Sequence, residues 1–262
     1  MATNKKGLIM MIQKSLKEIA EDNCMGMDFV TICALVLKLL EEALGENYDF
    51  PIDVEGVAEW LEVDLQKLPL NEDIFNLERV HNLVGNTFRK RSYFRDEIRS
   101  GIVLDSKAST GDQRYALAHE LSHYIVHSED VSYDSEYCIM PMLFKEMEEM
   151  VADVFATFLL IPLPIFLREF SNYIGQRSVP IKTSEWIQYL SVMAQVPYEQ
   201  VAIGYQNIRY VLGILYNIKN ADKKKRQEMI SDIRHLPETI REEMLERMCN
   251  YITEEYEIYL YC

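Results

Sequence analysis

Histidine is scarce in this chain, five in 262 residues, yet two fall four apart in His119-Glu120-Leu121-Ser122-His123. Around them Ala116, Leu117, Leu121 and Ile125 form an apolar stripe, which predicts a packed helix from Tyr115 to Val126. Residues four apart share a helix face, so the imidazoles of His119 and His123 can grip one metal ion. Glu120 stands one step round, where it can reach a water on that metal. Zinc held by two imidazoles and a carboxylate, with a water position left open, is an arrangement suited to peptide hydrolysis.

Such a site needs a third protein ligand. His127 continues the series, but on an unbroken helix it lies about 6 Å further along the axis than His123. No glycine follows His123 to turn the chain back. Glu149 is the better candidate. It opens a helical pattern that closes at Pro162, and Ala152, Asp153 and Ala156 follow it on one face. Small alanines would let this helix lie close to the histidine helix. Asp153, one turn on, can accept the free N–H of a ligand imidazole. Glu146 and Glu148 are the nearby alternatives, and neither is followed by small residues at those offsets.

His119-Glu120-Leu121-Ser122-His123-Tyr124, with Glu149, Ala152, Phe155, Ala156, Leu159, Leu160 and Pro162 downstream, resembles the ImmA/IrrE zinc metallopeptidases. Ile102-Val103-Leu104-Asp105 and Arg114-Tyr115-Ala116-Leu117-Ala118 are similar to that family's strand and its R-[FY]-x-x-A-H-E-L run, and residues 51–58 to its opening helix. Ser122 stands where glycine is commoner, and Asp153 where asparagine is commoner. The resemblance spans roughly residues 48–165. It implies an endopeptidase with one Zn2+ on His119, His123 and Glu149, acting on a protein substrate such as a transcriptional repressor. It says little about residues 1–47 and 166–262.

Composition narrows the alternatives. A net charge of −15 repels nucleic-acid phosphates and anionic membranes. Cys24, Cys33, Cys138, Cys249 and Cys262 are odd in number, widely spaced and without a C-x-x-C pair, as expected of free thiols in a reducing cytoplasm. The apolar run after Lys5-Lys6 stops at Gln13-Lys14, too short for a signal segment. The longest apolar stretch, 150–167, is interrupted by Asp153 and two prolines and reads as core rather than a membrane span.

The expected architecture is α+β and mostly helical: an N-terminal helical segment (1–47), a zincin-like metallopeptidase domain (48–165) and an all-helical C-terminal region (166–262). Helices are expected at 8–20, at 27–45 as an amphipathic run ended by Gly45, and at 54–61. Strands are expected at 80–84, 87–94 and 101–105, with Gly85-Asn86 as a turn, making a small sheet behind the histidine helix. Ile102, Val103 and Leu104 could offer an edge to which substrate adds as an antiparallel strand, or could be internal. Tyr124, Arg114 and His81 are candidate oxyanion stabilisers, each with a competing structural role.

Residues 184–195 and 198–215, broken at Val196-Pro197, resemble a helix-turn-helix. The second helix offers one arginine, Arg209, amid apolar residues, which favours packing over reading DNA. Lys223-Lys224-Lys225-Arg226 reads as a solvated helix start, and the tail from Glu254 is acidic and aromatic. Two other classes stay open: a zinc-containing module that binds a partner without cutting it, and a DNA-binding regulator using the C-terminal helices. The first is disfavoured by Glu120, which holding zinc does not require. The second is disfavoured by the acidic charge.

Overall fold

The computed structural model describes residues 5–22, 26–69, 85–91, 98–127, 142–175 and 182–252. Ten helices and three strands lie among them, an α+β fold that is mostly helical. The C-terminal 182–252 is helical throughout apart from its short connections.

Helix α2 (Asp28–Leu44) runs through the middle of the protein. Its residues from Val30 to Leu40 are buried on every side except Lys38, because α1 (Lys5–Asp22), α3 (Val54–Trp60), α5 (Met142–Leu160), α8 (Tyr198–Asn220) and α10 (Glu238–Asn250) all pack on it. The run is therefore a core helix rather than the amphipathic one its sequence predicts. A helix apolar all round is stable only when surrounded. Gly45 ends it as expected, with φ at 81° and its N–H returned to the Glu41 carbonyl at 3.0 Å.

The sheet has the order β1-β3-β2. Strand β1 (Asp64–Leu68) runs parallel to β3 (Ile98–Asp105), and β2 (Gly85–Arg91) runs antiparallel to it. Two expectations change here, and one open alternative is settled. Gly85 and Asn86 are not a turn: they open β2, opposite Leu104 and Val103. Strand β3 starts before residue 101, at Ile98. It is also the central strand, with Ile102, Val103 and Leu104 facing Leu65, Gln66 and Lys67 on one side and Thr87, Asn86 and Gly85 on the other. Both its backbone edges are taken, so those three residues have no edge to offer a substrate strand. The expected strand at 80–84 lies outside the described residues, as do His81, Cys24, Cys138, Cys262 and the tail.

Helix α4 (Thr110–His127) follows β3 after a short turn. Ser109 starts it with reciprocal hydrogen bonds: its hydroxyl accepts from the Asp112 N–H at 3.1 Å and donates to the Asp112 carboxylate at 2.6 Å. Gln113 donates to the Asp105 carbonyl at 3.0 Å, tying the end of the strand to the helix it leads into. At the other end, the buried Gln13 of α1 donates to the Val126 carbonyl at 3.1 Å, so the N-terminal segment anchors the last turn.

The next helix, α5, starts at Met142, earlier than its pattern indicates, and lies along α4. It bends by 53° into α6 (Leu163–Gly175) at Ile161-Pro162. Among the described residues no single helix is long and apolar enough to cross a membrane. The pair is core, with Val154, Phe155, Phe158, Leu159, Phe166 and Phe170 all at most 2% exposed. Helix α7 (Thr183–Ala194) and α8 are separated at Gln195, Val196 and Pro197 as expected, and Trp186 and Tyr205 are buried against Phe166. Helix α9 (Lys223–Asp232) begins at the basic cluster, capped by Asp222, which accepts from the Lys225 N–H at 2.9 Å. Among the described residues the hydrophobic core cluster includes residues of 1–47, 48–165 and 166–252 alike.

Candidate metal centre

Two helices supply the site, each with residues spaced by four. Helix α4 presents Tyr115, His119 and His123; helix α5 presents Glu149 and Asp153. Laid side by side, the two rows interlock. Tyr115 and His119 meet Asp153, and His119 and His123 meet Glu149.

The Nε2 atoms of His119 and His123 lie 3.2 Å apart. Glu149 Oε2 is 3.1 Å from the first and 3.7 Å from the second. These three residues form a group whose donor atoms all fall within 4.8 Å of one another and that could hold a metal ion. On the far side of the His119 ring, Nδ1 lies 2.9 Å from Asp153 Oδ1. With its Nδ1–H donated to the carboxylate, the ring turns Nε2 toward Glu149 and His123, where it could ligate a metal. The histidine side chains are 16% exposed and Glu149 49%, so the group is reachable from solvent and not in the core.

The electrostatics of this spot favour positive charge. Burial pulls the His119 pKa down, but hydrogen bonds to Asp153 and Glu149, with the charges of Glu120 and Asp153, more than offset it and raise it to about 9. The hydrogen bonds from His119 and His123 hold the Glu149 carboxyl well below the usual carboxylate range, against the opposing effect of its own burial. A field that stabilises an imidazolium stabilises a metal cation in the same place, and two imidazoles with one carboxylate are a donor set that fits zinc.

The other candidates fall elsewhere. Glu120 is half-buried on α4 beside His119. Glu146 and Glu148 are outside the His119, His123 and Glu149 group. The side chain of His127 is outside the described residues. Arg114 is engaged with the segment before α3: its Nη2 donates to the Ile52 carbonyl at 2.8 Å, and it lines a groove with Asp53, Glu55, Lys67, Gln113 and Leu117. Tyr124 packs against the core. Tyr115, which the motif reading passed over, donates its hydroxyl to Asp153 Oδ1 at 2.8 Å. The signal for it was present: it precedes His119 by the same four residues that separate Glu149 from Asp153.

A histidine pair on one helix, a glutamate on the helix beside it and a small sheet packed against the first make a group that could hold a metal ion. Residues 79–204 match the Peptidase_M78 family model, the IrrE N-terminal-like domain. The match starts later than the motif resemblance and runs further, through α6 and α7 into α8. No curated protein was found to match the chain.

Proposed function

We propose that this protein is a zinc-dependent endopeptidase that cuts a protein substrate inside the cell. The observation that supports it most directly is the convergence of His119, His123 and Glu149 beside Glu120. Zinc bound there would supply a Lewis acid that brings the pKa of a water toward neutrality and polarises a peptide carbonyl. The chain's own residues do the rest. Glu120 takes the proton from the attacking water and returns it to the leaving amine. Asp153 accepts the Nδ1–H of His119 and so orients Nε2 toward the metal position.

The substrate is read as an extended segment. With β3 central, the strand facing outward beside α4 is β2, and among the described residues no strand pairs with its other edge. An incoming peptide would add there through main-chain hydrogen bonds. By analogy with the family, the substrate is a transcriptional repressor cleaved to release gene expression.

The test starts with metal content in the wild type, Glu120→Gln, His119→Ala and Glu149→Ala. About one zinc is expected in the first two and strong loss in the others. The zinc-loaded wild type is then expected to cut a library of unstructured peptides that Glu120→Gln leaves whole. Zinc uptake without any cleavage would put a non-cutting binding module in place of the peptidase.

A further inference from the structure

Asp153 receives two hydrogen bonds on the same oxygen. Oδ1 lies 2.9 Å from His119 Nδ1 and 2.8 Å from the Tyr115 hydroxyl. We propose that Tyr115 is a positioning residue of the metal centre, acting on His119 through Asp153.

The argument is geometric. An aspartate side chain has two torsions and, held by one bond to a mobile ring, can swing with it. A second donor on the same oxygen, fixed to α4 one turn before His119, removes that freedom. Tyr115 is itself partly buried and packed against the core. Its ring centroid is 6.3 Å from that of His119, with the planes tilted by 40°. The hydroxyl, the carboxylate oxygen and Nδ1 therefore form a short chain that begins and ends on α4 and passes through α5. It holds the ring plane of His119 and the separation of the two helices at once. A phenylalanine would fill the same space and pack on the same neighbours, but it could not make the bond. Asp153 accepts both hydrogen bonds as a carboxylate. An asparagine at that position, presenting its carbonyl to the two donors, would keep the geometry with less charge.

The inference rests on the metal reading, and its test separates the two. Zinc affinity would be measured by competition with a chromophoric chelator for wild type, Tyr115→Phe, Asp153→Ala and the double variant, with circular dichroism confirming the fold of each. Tyr115→Phe is expected to weaken zinc binding about 10-fold, at the low end of the range for residues that support metal ligands. In the Asp153→Ala background the same change is expected to do nothing beyond a factor of about 2, since the hydroxyl then has no carboxylate to hold. Asp153→Asn should recover part of the affinity lost in Asp153→Ala. The visible spectrum of the Co2+-loaded protein should shift in Tyr115→Phe, a response that loss of packing far from the ligands would not give. Equal effects of Tyr115→Phe in both backgrounds, or none in either, would overturn the positioning role while leaving the site intact. A wild type that takes up neither Zn2+ nor Co2+ would overturn the metal reading and this inference with it.

Discussion

Helices α5 and α8 touch at Gly204, where an added methyl has no room. A Cβ built there would lie 2.9 Å from Thr157 Cγ2 and 3.0 Å from Thr157 Oγ1. Thr157 is 6% exposed, and its hydroxyl donates to the Asp153 carbonyl at 3.0 Å. Both branches of the threonine face the glycine, so rotating the side chain exchanges one clash for the other. Gly204→Ala thus has two opposed effects. Overpacking costs about 1–3 kcal/mol, and the better helix former returns about 1 kcal/mol in the interior of α8. The expected net effect is destabilisation by about 1 kcal/mol, or about 2–4 °C in midpoint.

In a Thr157→Ala background the obstruction is gone and only the helix gain remains, so Gly204→Ala should there stabilise by about 1 kcal/mol. The sign reverses, a coupling of about 2 kcal/mol between two residues in contact. Urea unfolding of the four proteins, followed by circular dichroism, reads this directly. Stabilisation by the same amount in both backgrounds would show that α5 and α8 do not approach closely at this point. The placing of Glu149 and Asp153, carried on the same α5, would then need to be rethought.

Other outcomes follow from the same physical arguments. Zinc at 100 times its dissociation constant should stabilise the protein by about 2.7 kcal/mol against unfolding, and chelator should remove that gain. His123→Ala should show neither effect, and a midpoint in wild type that ignores both metal and chelator would refute the site. His235 joins α1, α2 and the turn before α10, with Nδ1 2.7 Å from Asp28 and Nε2 3.0 Å from Asp22. Burial lowers its pKa, but the hydrogen bonds and charges of Asp28 and Asp22 outweigh it, and the folded value is raised. A raised histidine pKa gives stability that is complete below the unfolded value, about 6.5, and fades as pH climbs through the folded one. His235→Gln should therefore lose most stability at mildly acidic pH and little at alkaline pH. A loss independent of pH would exclude the charged pair. Arg114→Met should cost on the order of 1–3 kcal/mol through the lost bond to the Ile52 carbonyl, with zinc content unchanged. Zinc loss at full stability would return Arg114 to the active centre.

What was legible in the sequence was local. Two histidines four apart, and a glutamate and an aspartate four apart, share helix faces because 3.6 residues make a turn, wherever the helices lie. The stop at Gly45 and the break at Val196-Pro197 are equally local, set by backbone conformations that the residue types dictate. Tertiary structure decided whatever depends on a neighbour. The apolar pattern of α2 cannot show that five other helices enclose it. The apolar run at 102–104 reads the same for a central strand as for an edge strand, because which edges are bonded is settled by β1 and β2, far off in the chain. The bond from Tyr115 to Asp153 spans 38 residues. It exists because α4 and α5 lie side by side in one register, and that register comes from packing.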